Sequence, residues 1–197
     1  MQAWASVRSY RQELELERSA QPQNHDLVLL WVRYPGRMRL EVAVSGDGAQ
    51  GGLLFNAEGL FLHGPQGRQR LDGPMERVVR WQLARPRPEL LLLEPQGGWR
   101  LLAAELIQRD GGLVYRLQAQ APDGVELELL YSAATLLLEE ESWRASGYSV
   151  RYRYADYRPV GPLRIPHQVD VYTQEGRDRL RVLLTELNLE LPEGLFW

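Results

Sequence analysis

The sequence predicts a mainly β chain, of α+β type, whose antiparallel strands form one large curved meander with a single short helical insertion. Three observations carry this. Turn signals recur at short intervals, the segments between them alternate apolar and polar residues with period two, and only one stretch repeats at helical spacing. The turns are marked by Pro35-Gly36, the run Ser45 to Gly52, Glu58-Gly59, Gly64 to Gly67, Gly97-Gly98, Asp110 to Gly112, Asp123-Gly124, Ser146-Gly147 and Glu175-Gly176. Glycine and Asp supply the backbone conformations that tight turns demand.

Taken in order, Tyr10, Gln12, Leu14 and Leu16 oppose Arg11, Glu13, Glu15 and Glu17, which is a half-buried strand. Met38, Leu40, Val42 and Val44 oppose Arg37, Arg39, Glu41 and Ala43 in the same way, and Val125 to Tyr131 behaves similarly. Tyr148, Val150, Tyr152 and Tyr154 oppose Ser149, Arg151, Arg153 and Ala155, giving one strand an aromatic face and a basic one. The helical stretch is Met75, Val78, Val79 and Leu83, with Glu76, Arg77 and Arg80 pointing elsewhere. Pro74 suits its first turn, where a missing N–H costs nothing. Arg85-Pro86-Arg87-Pro88 ends it, because the residue before a proline is pushed out of the helical region. A second apolar piece, Leu90 to Leu93, is stopped by Pro95. Successive hairpins without interleaved helices argue against a parallel α/β sheet.

With 197 residues and no linker or internal repeat, one domain over 1–197 is expected. A net charge of −3 lacks the basic excess that a phosphate backbone selects, so nucleic acid is not an expected partner. All 23 basic residues are arginine, a bias from which no function follows. The absence of cysteine removes disulfides, thiolate catalysis and cysteine-ligated metals. Met1 to Tyr10 carries no signal-peptide pattern and no lipidated cysteine, and no run suits a membrane span. If the protein is exported, its targeting segment is expected to precede these residues.

Catalytic patterns are thin. His25, His63 and His167 stand at no metal-ligand spacing, so no metal is expected. Gly46 to Gly51 spells GxGxxG, yet the next residues, Gly52-Leu53-Leu54-Phe55, read as a strand where a pyrophosphate would need a helix N-terminus; a hairpin loop is the better reading. No GxSxG elbow or P-loop occurs, and no catalytic residue or cofactor is assigned. Glu139-Glu140-Glu141 reads as a solvated strand or turn. The apolar runs Leu27 to Val32, Leu90 to Leu93 and Leu136 to Leu138 exceed what one-face alternation needs. Periodicity leaves two outcomes open, a filled sandwich core or a cavity beneath a thin lid.

Asp26 to Glu41, reading DLVLLWVRYPGRMRLE, resembles the second and third strands of the LolA-like periplasmic lipoprotein carriers, with their Trp-Val-basic-x-Pro turn. Asn56 to Pro65 occupies the place of the family's next strand pair. Ala155 to Pro166, then Glu175-Gly176 and a last strand ending Leu187-Asn188-Leu189 before Phe196, is similar to broader LolA-like outer-membrane lipoprotein-sorting proteins. The resemblance covers most of the chain and implies an incomplete antiparallel β-barrel whose apolar cavity, under a helical lid at about 74–95, accepts acyl chains. It implies Leu30, Val32, Tyr34, Met38, Leu40 and Val42 as cavity residues and Val78, Val79 and Leu83 as the lid's underside.

The function implied is non-enzymatic binding and transfer of lipid or lipoprotein acyl chains in the bacterial envelope, as a monomer, either periplasmic or membrane-tethered, with envelope transport proteins as further partners. The alternative is a LolA-like sensor or assembly module that binds a protein; an enzyme of unrecognised geometry is the third reading. Two departures stand out. The carrier's arginine before the turn proline is Tyr34 here, with Arg33 one residue earlier and on the other face, so the same lid control is not expected. The family also begins with a helix before its first strand, whereas strand-like sequence begins here near Trp4, so that helix is expected either to precede these residues or to be absent.

Overall fold

A segment that alternates apolar and polar side chains places one set on each face of a sheet, and the described residues form one continuous antiparallel sheet of thirteen strands. The computed structural model describes residues 2–19, 25–44, 48–92 and 97–197. Positions 45–47 of the glycine-rich run and 93–96 at the far end of the expected lid, including Leu93 and Pro95, lie outside them, and the side chain of Val44 is not described.

The chain starts with one helical turn, α1 (Gln2–Ala5), where strand was expected from Trp4. Six strands follow as hairpins: β1 (Ser9–Arg18), β2 (His25–Arg33), β3 (Arg37–Val44), β4 (Gly48–Asn56), β5 (Gly59–Gly64) and β6 (Gly67–Arg70). Two helices, α2 (Pro74–Gln82) and α3 (Glu89–Leu92), then carry the chain to the opposite end of the sheet. There β7 (Arg100–Arg109), β8 (Gly112–Gln120), β9 (Glu126–Ser132), β10 (Leu138–Ala145), β11 (Tyr148–Val160), β12 (Leu163–Thr173) and β13 (Gly176–Leu187) run back as a second meander.

β13 pairs antiparallel with β1, from Tyr10 opposite Leu187 to Arg18 opposite Asp178, which joins the two meanders at the centre. β6 and β7 stand at the two ends of the strand order and do not pair, so the sheet is an incomplete barrel with a helical lid.

The register puts the sequence's apolar sets on one face. Val28, Leu30 and Val32 of β2 stand opposite Val42, Leu40 and Met38 of β3, and Leu40 and Met38 stand opposite Leu53 and Phe55 of β4. Gly52 is required beside this stretch, because a Cβ there would lie 1.7 Å from the carbonyl oxygen of Leu40.

α2 begins with Pro74 and carries Glu76 in its first turn and Arg80 in its last, bonded to each other at 2.6 Å. Its apolar stripe straddles the two meanders. Val79 and Leu83 pack with Val32, Phe55 and Leu60, whereas Val78 packs with Leu127, Leu129, Trp143 and Val150. On the face opposite Met38 and Leu40, a terminal turn of 3-10 helix (Glu193–Phe196) seats Phe196, whose carbonyl accepts a bond from Asn56 Nδ2 at 3.0 Å.

Candidate binding cavity

Between the two packed regions the sheet's inner face is not filled. A cavity of about 260 Å³ remains, roofed by Pro86, Arg87 and Pro88 of the α2–α3 connection. Its first side is mainly aliphatic, from Leu14 of β1, Leu30 of β2, and Leu180 and Val182 of β13, with Gln12 Nε2 of β1 donating to the Thr185 hydroxyl of β13 at 3.2 Å. The other side is aromatic and polar, from Tyr152, Tyr154 and Tyr157 of β11 and Glu141 of β10, with Trp4, Tyr10 and Tyr34 also in the wall. Period two explains two of these tyrosines: Tyr152 and Tyr154 share the face of Val150, which is buried against Trp143, whereas Tyr157 follows Asp156, whose φ of +52° interrupts the alternation.

The polar groups are held in place. Trp143 Nε1 and the Tyr154 hydroxyl each donate to Glu141, the latter at 2.9 Å. Arg87 Nε donates to both carboxylate oxygens of Glu89, at 2.9 and 3.2 Å, and the Tyr131 hydroxyl donates to Glu89 Oε2 at 2.8 Å. The Arg87 guanidinium also sits 5.4 Å from the centre of the Trp4 ring. The Tyr157 hydroxyl donates to the Leu138 carbonyl at 2.6 Å.

Burial raises the Glu141 pKa, against the lowering effect of its two hydrogen bonds and of Arg87. Burial likewise pushes Tyr10 and Tyr157 up to about 12, and raises Tyr34, Tyr152 and Tyr154. At neutral pH these phenols are hydrogen-bonding groups, not bases. Burial opposes the charge on Arg87, but Glu89 and the neighbouring phenols outweigh it, so Arg87 stays cationic.

A wider groove of about 940 Å³ opens beyond the aliphatic side, with Leu40, Val42, Leu53 and Leu62 as its apolar part and Arg18, His63, Gln66, Arg68, Gln69 and Glu175 as its polar part. Leu30 of the cavity stands directly opposite Leu40 of the groove, and Leu14, Leu30, Leu40, Val42 and Leu180 pack in one apolar cluster. Cavity and groove therefore share a floor.

Of the residues expected at the site, Leu30 and Tyr34 line the cavity and Leu40 and Val42 line the groove. Val32 is fully buried under α2, and Met38 packs against that cluster, so these two support the lid's seat. The lid is fastened at the turn before β3. Gly36, at φ +75°, donates its N–H to the Leu83 carbonyl at 2.8 Å, a backbone tie beside the position where the resemblance lacks its arginine. Tyr34 faces the cavity, while Arg33 pairs with Glu193 on the other face.

Three features escaped sequence reasoning. Glu139-Glu140-Glu141 is not a solvated run: only Glu139 is exposed, Glu140 bonds Arg109 at 2.9 Å, and Glu141 enters the cavity wall. Arg87 looked like part of a helix stop and is the roof's cation. The tyrosines were visible as one strand's face, but not as a wall. Among the described residues no group of three or more His, Asp or Glu side chains is placed to hold a metal ion, and no helix is long and apolar enough to cross a membrane.

No family model matches the sequence, and no curated protein does. The fold is similar to that of a LolA superfamily protein from Nitrosomonas europaea, with a TM-score of 0.64 and 13% identity over 98% of this chain and 90% of that one. It is also similar to a DUF1329 family protein from Desulfovibrio piger, with a TM-score of 0.63 and 10% identity over 100% of this chain and 92% of the other. At such identities the likeness is one of overall fold, which here is an open antiparallel sheet with a helical lid.

Proposed function

We propose that this protein is a non-enzymatic binder and carrier of lipid or lipoprotein acyl chains in the bacterial envelope, working as a monomer. The observation that supports this best is the unfilled cavity under the lid, which adjoins, across the Leu30–Leu40 pair, a groove floored by Leu40, Val42, Leu53 and Leu62. Burying methylene groups is worth about 0.8 kcal/mol each, so such a surface holds a chain usefully with few directed bonds. Release requires the roof to lift; α2 and the proline-flanked 85–88 connection are the moving part, hinged against the Gly36–Leu83 tie. The acyl-binding residues are Leu30 and Tyr34 in the cavity and Leu40 and Val42 in the groove, with Val32 and Met38 behind them and Val78, Val79 and Leu83 as the lid's underside.

The test is native mass spectrometry of protein taken from an envelope fraction, followed by extraction and lipid identification, with Leu40→Trp as the paired variant. A stoichiometric acylated ligand is expected, and Leu40→Trp loses uptake of a fluorescent lipid while its unfolding midpoint changes little. An empty protein that also refuses added lipid and lipopeptide overturns the reading.

A second reading, a partner-binding module, is favoured by β7. This edge strand spans ten residues and carries Leu101 and Leu106 at 55% and 51% exposure, beside Leu113 and Tyr115 of β8.

A further inference from the structure

The cavity wall changes chemistry from end to end, and a ligand that fits it must do the same. We infer that the acyl ligand is a single-chain amphiphile bound head-inward, its carboxyl or ester oxygens against Arg87 and its tail running over Leu30 and Leu40 into the open groove. The inference rests on the acyl-binding reading above and adds the ligand's class and direction.

Size limits the number of chains. A cavity of about 260 Å³ lies below the roughly 300–1,000 Å³ of a site that encloses a whole drug-sized ligand, so it takes the end of one chain and not several chains. The rest of that chain has an apolar path along the shared floor into the 940 Å³ groove, so the groove is the tail bed.

Polarity sets the direction. Leu14, Leu30 and Leu180 offer an inward-facing head nothing to bond, and the two polar side chains on their side, Gln12 and Thr185, are bonded to each other at 3.2 Å, whereas the far side holds Arg87, a guanidinium with five N–H donors and no acceptor. Its single Nε–H is spent on Glu89, and the four N–H of the terminal nitrogens remain for the neighbouring phenols and for a ligand's oxygens. Pro86 and Pro88 fix the backbone on both sides of Arg87, and Tyr131 holds Glu89, so the guanidinium is positioned before a ligand arrives.

Charge selects among heads. Glu89 already neutralises Arg87, and Glu141 stands in the same wall, so a doubly charged phosphate meets a carboxylate without a free cation to offset it. A carboxylic acid or ester presents oxygen acceptors at far lower charge. The two sources of that chemistry, a free fatty acid and a monoacyl ester, differ in their dependence on Arg87.

The experiment uses the wild-type protein first. Trp4 lines the cavity at its polar end and Trp143 bonds Glu141 there, so a bromine near the head quenches their fluorescence and one at the tail does not. α-Bromododecanoate is expected to quench more strongly than ω-bromododecanoate at equal saturation. Equal quenching, or the reverse order, overturns the head-inward assignment.

Titration calorimetry with dodecanoate and monododecanoylglycerol on Arg87→Met then identifies the source. Loss of a bond to a charged group is expected to weaken binding by about tenfold or more. A larger loss for dodecanoate marks the fatty acid, and an equal loss marks the ester. Unchanged affinity of both for a folded Arg87→Met, with Leu40→Trp still blocking uptake, leaves acyl binding standing and removes this inference. Failure of the wild type to take up either ligand removes the acyl-binding reading itself.

Discussion

The two sides of the cavity differ in how they are built. On the β2–β5 side, Val32, Phe55 and Leu60 pack against Val79 and Leu83, a core whose one buried ring is Phe55, with Tyr10 and Tyr34 at its margin toward the cavity. On the β9–β11 side, Leu127, Leu129 and Val150 pack around Trp143, and the strands also bring Glu141, Tyr152 and Tyr154 inward. The first side gains by removing apolar area from water, which is non-directional and tolerant of shape. The second side buries polar groups as well, and each must keep its partner or cost the full penalty of desolvation. The aliphatic side is thus a bed and the aromatic side a set of positioned donors and acceptors.

The sharpest way to break the comparison is to truncate the centre of each side. Trp143 and Leu60 are both at 0% exposure. Trp143→Ala is expected to cost about 3–5 kcal/mol, through lost burial and an unfilled space, and it also leaves Glu141 with one donor fewer. Leu60→Ala is expected to cost about 2–5 kcal/mol with no polar consequence. Urea unfolding measures both, and equal losses together with an unchanged Glu141 titration in Trp143→Ala would erase the distinction.

Tyr131→Phe removes the hydroxyl that steadies Glu89 beneath Arg87. A hydrogen bond to a charged group is worth about 1.5–3 kcal/mol, and the same unfolding measurement should read a loss of that order.

The smallest effect is a pH dependence. Burial raises the Glu141 pKa above its ordinary 4.5, so the folded protein holds this proton to higher pH than the unfolded chain does. Its contribution to stability is therefore present below the ordinary carboxylate range and is lost as pH rises through the raised value. Glu141→Gln should flatten the stability curve in that window, most visibly at its upper end. An unaltered pH profile would show that Glu141 titrates as an exposed carboxylate.

The aliphatic side was legible in the sequence. Met38, Leu40 and Val42 alternate cleanly with arginine and glutamate, and a period of two leaves such a strand one face to bury. The helix over Pro74–Gln82 was equally legible, because its proline start and proline-rich end leave little choice of boundary. Leu40 and Leu30 were readable as inward residues, yet the same reasoning set Val32 in a cavity wall where α2 covers it completely. Alternation identifies a face and says nothing about what lies over it.

The polar site was illegible for a related reason. Glu141 belongs to a three-carboxylate run that local rules assign to solvent, and Arg87 to a helix terminator; the two come together only because the lid connection crosses the β10–β11 strands. By itself, then, the sequence determined the alternating faces of β1, β3, β9 and β11 and the lid helix, since these follow from the backbone's short-range geometry and from the water-avoidance of each segment. The tertiary structure alone decided that β13 pairs with β1, that the sheet stays open between β6 and β7, and that Arg87 and Glu141 share one wall. Those outcomes depend on contacts between residues far apart in the chain, whose energies no local pattern encodes.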